Sequence, residues 1–295
     1  MVCVQVGMES LMRRSSFVVA LAAITVSQVW AVYGATTGPG SSDSTFIWVG
    51  QAGGPSAVLI DPHWVITAAH VGGNTFTLSG TTYTADATYD NPNYDLHLMH
   101  FTNTFGGYYP LFSGNPIGQT VTFVGFGDSG TLRSDGMGYN DVGGAGTRRT
   151  ALNVVGLQQV VPFNTWNTPE LLCDLDAPVG NTFAAPYNRD WFGDGGPTAN
   201  EGGLMGGDSG GGWMINVGGT WQVAAISTYI VDDPNAAPGD PNPIFAFGIS
   251  GSAGADLTDP GIRQWITGTV PEPASTAVLA IGLAGLLVRR RRRSR

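Results

Sequence analysis

Runs of apolar and β-branched residues, broken by glycine, proline and asparagine, follow one another from Thr45 to Thr228. Runs of about four to eight residues bounded by turn formers predict strands. Residues 45–51 and 56–60 flank Ala52-Gly53-Gly54-Pro55, a hairpin turn, and the second run continues through Asp61-Pro62 into Trp64-Val-Ile-Thr-Ala-Ala-His70. Residues 75–78 and 81–87 flank Ser79-Gly80, and Leu96 and Leu98 alternate with polar neighbours, placing Asp95 on a strand with its side chain on the other face. After a crossover at 112–118, strands are expected at 120–126, 148–155, 171–175, 213–215 and 222–228. Gly- and Asp-rich loops fill 131–146 and 184–206. Residues 260–267, Pro-Gly-Ile-Arg-Gln-Trp-Ile-Thr, read as a short helix opened by proline.

Composition supports that picture. The 295 residues include 44 glycines and 18 prolines with only 12% charged residues, which favours turns and strands over surface helices. All thirteen basic residues are arginine, and between Thr36 and Thr269 five arginines face twenty acids. Nucleic acid is therefore excluded as an expected partner. Of two cysteines, Cys3 precedes an export-type leader and Cys173 stands alone, so no disulfide is expected in a processed chain.

Both ends read as devices separate from the fold. Arg13-Arg14, the apolar run 17–26 and the small residues Ala31, Gly34 and Ala35 have the form of a secretory signal peptide over residues 1–35, with Met8 or Met12 as an alternative start. At the other end Val270-Pro271-Glu272-Pro273 precedes fifteen uncharged residues and five arginines, 289–293. That apolar run is short for a span of about 20 residues, and the arginines favour the cytoplasmic side. The pattern resembles the PEP-CTERM sorting signal of Gram-negative bacteria, which implies an exosortase-type processing partner, contact with the membrane through the tail before cleavage, and a final place in the envelope or exterior. An ordinary tail anchor is the alternative.

The candidate chemistry lies in Gly206-Gly-Asp-Ser-Gly-Gly-Gly-Trp213. Glycines around Ser209 permit a sharp turn that exposes a hydroxyl and brings the Gly207 and Ser209 N–H groups to one point, as an oxyanion hole requires. Gly-Asp-Ser-Gly also occurs at 127–130, where Ser129 reads as a polar turn. Ser209 resembles the nucleophile of the chymotrypsin-like serine proteases, whose histidine motif is matched by Trp64–His70 and whose aspartate segment is matched by Tyr94-Asp95-Leu96-His97-Leu98, with Asp86 and Asp90 as alternatives.

The resemblance implies an all-β fold of two antiparallel six-stranded barrels, here 36–116 and 117–269, closed by the short helix. It implies a secreted endopeptidase acting on protein or peptide substrates, with Ser209 as nucleophile, His70 as base and Asp95 as orienting acid. Counting from Ser209 puts Gly203 at the base of the specificity pocket, with Ser227 and Tyr229 on its wall, which suits small or medium apolar side chains. The family's activating amine pairs with the residue matched by Asp208; its Ile-Val-Gly-Gly terminus is missing here, and the amine of Ala35 or Thr36 is the expected substitute. The family's common cysteine after the histidine is Val71. No cofactor and no metal are expected. His63, His97 and His100 have no ligand geometry, and the acid-rich turn from Asp232 to Asp240 lacks an EF-hand pattern. The rival reading is a non-catalytic binding or surface-matrix protein on the same fold.

Overall fold

The computed structural model describes residues 2–7, 20–21, 44–199, 201–233 and 245–270. Two short strands, β1 (Val2–Gly7) and β2 (Ala20–Leu21), come first. A first antiparallel sheet then forms from β3 (Val49–Gln51), β4 (Ser56–Asp61), β5 (Trp64–Thr67), β6 (Thr75–Leu78), β7 (Thr81–Thr84), β8 (Ala87–Asp90) and β9 (His97–His100), in the order β7-β6-β3-β4-β5-β9-β8. The second uses β10 (Thr120–Gly125), β13 (Arg149–Val154), β14 (Leu157–Phe163), β15 (Trp166–Asp174), β16 (Gly212–Val217), β17 (Thr220–Asp232) and β18 (Ser250–Asp256), in the order β13-β10-β16-β17-β18-β15-β14. A small hairpin, β11 (Gly130–Leu132) with β12 (Tyr139–Asp141), occupies the loop between β10 and β13.

Seven ladder strands per sheet reduce to six passes of the chain, because in each sheet one pass supplies both ends. β7 pairs with β6 at one end and β8 with β9 at the other. The switch takes one residue: the Ala85 amide donates to Asn74 O at 2.8 Å and the Asp86 amide to His100 O at 3.0 Å. In the second sheet the Val155 amide donates to Gln119 O at 3.0 Å and the Gly156 amide to Leu172 O at 3.0 Å. A strand that bends and pairs on both sides removes the open edge, which is the closure a barrel needs. The architecture is therefore the chymotrypsin-like pair of six-pass antiparallel barrels.

Each barrel is filled by its own side chains. Leu59, Val65, Phe76, Met99, Phe101 and Phe105 fill the first, and Val121, Phe123, Leu171, Cys173, Trp213 and Ile215 lie in the core of the second. β4 and β5 are buried along most of their lengths, which is why their sequences run apolar without alternation. β18 departs furthest from a readable pattern. It is Ser-Gly-Ser-Ala-Gly-Ala-Asp, and a β-carbon on Gly254 would lie 2.7 Å from the Trp213 ring. The large indole takes the space that side chains of this strand would otherwise fill.

β1 pairs in parallel with β17, an arrangement the sequence did not suggest for residues ahead of Met8. The remaining signal-peptide and tail expectations, including the Ala35 or Thr36 amine and most of the acid-rich turn, lie outside the described residues. Among the described residues no helix is long and apolar enough to cross a membrane. The terminal helix, α1 (Pro260–Thr269), runs two residues past its expected end.

Candidate active site

His70 follows β5 in a single helical turn, with the Val71 and Gly72 amides donating to Ala68 O at 3.1 and 3.3 Å. Asp95 sits in a bend before β9 rather than on the strand. The cause is Asn91, whose Oδ1 accepts the Asn93 and Tyr94 amides at 2.8 and 3.0 Å and folds the chain tightly ahead of Leu96. The alternation read from Leu96 and Leu98 also breaks down, since His97 and Met99 are buried with them. The Asp95 amide then donates to Thr168 Oγ1 on β15 at 2.9 Å, so the second barrel holds the acid in place.

Ser209 occupies a turn between the 184–206 loop and β16. Gly210 has φ +83°, and a β-carbon there would lie 2.0 Å from both Ser56 O and Thr67 Oγ1. Only glycine fits. Ser56, on β4, had no signal in the sequence, yet it clamps this turn. Its amide donates to Gly207 O and Ser209 O at 3.0 and 2.9 Å, its hydroxyl donates to Gly207 O at 2.8 Å, and it accepts the Phe126 amide at 2.9 Å. One small residue of the first barrel thus fixes the turn of the second.

These elements bring three side chains into line. Asp95 accepts the His70 amide on Oδ1 at 2.8 Å and faces His70 Nδ1 with Oδ2 at 2.6 Å, while His70 Nε2 lies 2.9 Å from Ser209 Oγ. A carboxylate only accepts, so Nδ1 carries the proton, Nε2 of the neutral ring accepts, and the Ser209 hydroxyl donates. Asp95 is 1% and Ser209 0% exposed. The Phe163 ring meets the His70 ring edge-on at 5.9 Å and Trp166 flanks Phe163 at 6.0 Å, so the β14–β15 turn overlies the histidine. Among the described residues, the Gly207 and Ser209 amides have no backbone acceptor. The alternatives to Asp95 are engaged elsewhere, Asp90 with His97 and Asp86 with His100.

The other expected positions are more varied. Ser129 donates to Gly143 O at 2.9 Å and takes no part in this line. Asp208 is fully buried, accepting the Met205 amide at 3.0 Å and the Gly127 amide at 3.4 Å, and burial raises its pKa to about 8. Ser227 gives its carbonyl to the Gly210 amide at 2.8 Å and its hydroxyl oxygen to Trp213 Nε1 at 3.2 Å. Gly203 is buried beside Leu204, whose amide donates to Ser252 Oγ at 2.9 Å. Tyr229 packs with Phe163, Val161 and Leu172 at 1% exposure.

Sequence reasoning missed Glu170. It is buried on β15, accepts the Thr228 hydroxyl at 2.9 Å, and its pKa is pushed well up by burial, against the lowering by Thr228 and with repulsion from Asp95 adding to the rise. Its only sequence signal is one acid inside the apolar stretch Pro169-Glu-Leu-Leu-Cys173.

Residues 269–293 match the PEP-CTERM protein-sorting motif. That motif indicates export through an exosortase-type route to the envelope or exterior of a Gram-negative cell. No curated protein matches the sequence. Among solved structures, the inactive form of Rv3671c from M. tuberculosis H37Rv is 15% identical, with 79% of this chain and 93% of that chain covered at a TM-score of 0.44. The NS6 protease of murine norovirus 1 is 17% identical, covering 75% and 95% at a TM-score of 0.38. The architecture stands on the strand pairings above rather than on these likenesses.

Proposed function

We propose that the protein is an exported serine endopeptidase. The observation that supports this most is the continuous chain from Asp95 through His70 to Ser209, with both histidine nitrogens used in the sense that catalysis needs. Ser209 Oγ attacks the carbonyl carbon of a peptide bond as its proton passes to His70 Nε2. Asp95 stabilises the imidazolium through Nδ1. The Gly207 and Ser209 amides stabilise the oxyanion. Collapse breaks the C–N bond, His70 gives its proton to the departing amine, and water hydrolyses the acyl-enzyme by the same route.

On this reading residues 36–116 and 117–269 form the two halves of the cleft, residues 1–35 a removable leader, and 270–295 a sorting tail cut near Pro271 to Pro273. With Gly203 at the pocket base and Ser227 and Tyr229 beside it, the enzyme prefers small or medium apolar side chains before the cut. Asp208 takes the amine of Ala35 or Thr36 once the leader is removed. The test is digestion of a peptide library by the purified chain with mass-spectrometric readout. Cleavage after small apolar residues that is absent in Ser209→Ala is expected, and dominant cleavage after Arg or Lys would overturn the specificity.

A further inference from the structure

Three carboxylates in the second barrel converge where the catalytic reading has no use for them. Asp174 ends β15 and is 0% exposed. Its Oδ2 accepts the amides of Trp191 and Phe192, and its Oδ1 is buried with no hydrogen-bond partner among the described residues. Asp176, two residues on and 6% exposed, also has a buried oxygen, Oδ2, without a partner. Asp194 comes from the 184–206 loop. Its Oδ1 accepts the Gly196 amide at 3.3 Å, and its Oδ2 is buried and unpartnered. One oxygen from each of the three lies within 4.8 Å of the others.

Such a set is costly as it stands. Buried charges are paired or bind metals, and buried polar oxygens left unpaired cost free energy. The chain has no lysine, and among the described residues no arginine pairs with any of the three. Arg189, the nearest in sequence, turns Nη1 to Asp233 at 3.1 Å and Nε to Gly248 O at 2.9 Å and lies over the Trp191 ring, and its buried Nη2 meets none of the three acids. Protons shared among these acids neutralise charge without coordinating the oxygens at one point. One divalent cation satisfies all three.

We propose that Asp174, Asp176 and Asp194 bind a calcium ion that ties the 184–206 loop to the end of β15. The ligands are all hard oxygens, which calcium and magnesium take and zinc does not favour. Calcium holds six to eight oxygens at about 2.3–2.6 Å, so three oxygens this close together can share one ion. Its tolerance of irregular geometry suits two ligands from a strand end and one from a loop better than the octahedron magnesium demands. Glu201 braces the site from outside: its two oxygens accept the Asp176 and Thr198 amides, both at 2.6 Å. The ion therefore sets the loop that runs on, through Glu201, to the Ser209 turn. The site is independent of the peptidase reading, since it stands whether or not Ser209 turns over substrate.

The test is thermal unfolding of the purified full chain, stripped with EDTA and titrated with calcium chloride, together with terbium luminescence excited through tryptophan, Trp191 being adjacent. Calcium a hundredfold above its Kd is expected to raise Tm by about 5–10 °C, and calcium is expected to displace the terbium signal. Asp194→Asn, on the less buried loop residue, is expected to fold and to lose both responses, and Asp174→Asn to lose them if it folds. No calcium-dependent rise in the wild type overturns the proposal. So does an undiminished rise in Asp194→Asn, which would place the ion elsewhere, or a gain in Tm on Asp194→Asn with a wild type indifferent to calcium, which would mean shared protons alone.

Discussion

The tetrapeptide Gly-Asp-Ser-Gly occurs at 127–130 and at 207–210, and the fold treats the two copies differently although they touch. At the first, Ser129 is partly exposed and bonded to Gly143 O, and Asp128 accepts the Ala145 amide. At the second, Ser209 is fully buried and aligned with His70, and Asp208 reaches across to the Gly127 amide of the first copy. Gly207 packs so closely on Gly127 that a β-carbon on it would lie 2.8 Å from the Gly127 Cα. What separates the two serines is their surroundings: Ser209 has a β4 serine clamping its turn, a histidine at hydrogen-bond distance, and an acid behind that histidine.

The comparison breaks hardest at the nucleophile. Ser209→Ala is expected to lower turnover by about 10⁵–10⁶, and His70→Ala by nearly as much because the two act as a unit; steady-state rates on the best library peptide measure both. Asp95→Asn comes next, with a folded protein and turnover lower by roughly 10⁴ through a mis-set tautomer. A drop below tenfold would show that Asp95 orients nothing.

The third prediction sharpens the contrast between the two aspartates by pH. Burial holds Asp208 protonated in the folded chain up to about pH 8, against an ordinary value of 3.8. Its stabilising share is full below about pH 4 and is lost as pH rises through 8, because the unfolded chain releases the proton first. The wild type with its leader retained is thus expected to lose stability across that window relative to Asp208→Asn. A chain starting at Ala35 or Thr36 is expected to lack that loss, its amine holding the carboxylate ionised. Denaturant midpoints from pH 4 to 8 on the three proteins decide it, and identical profiles would contradict the pairing. The smallest effect belongs to the first copy: Ser129→Ala is expected to cost about 0.5–1 kcal/mol for one partly exposed hydrogen bond and to leave turnover intact.

What the sequence made legible follows from which contacts are local. Trp64–His70 and Gly206–Trp213 are contiguous, so their residues declare themselves, and apolar runs disclosed β4, β5, β6 and β10. β14 and the first half of β15 were hidden by Pro162 and Pro169 and by Gln158-Gln159, while the apolar end of β15 was legible at 171–175. β18 was hidden because Trp213, far away in sequence, supplies the bulk its own residues lack. Ser56, Glu170 and the Asp174, Asp176 and Asp194 group carry no motif, since each acquires its surroundings only when distant strands and loops close. Asp95 reads as a strand residue but sits in a bend, because the Asn91 side chain folds the backbone where alternation reads as strand.

The most direct measurement is labelling by a fluorophosphonate probe of correctly processed wild type, Ser129→Ala and Ser209→Ala, followed by peptide mapping. Catalysis at the second copy predicts labelling of the first two proteins on the peptide containing Ser209, and none of the third. Labelling that disappears with Ser129 instead would contradict the assignment, and no labelling of the wild type would favour a binding protein on a protease fold.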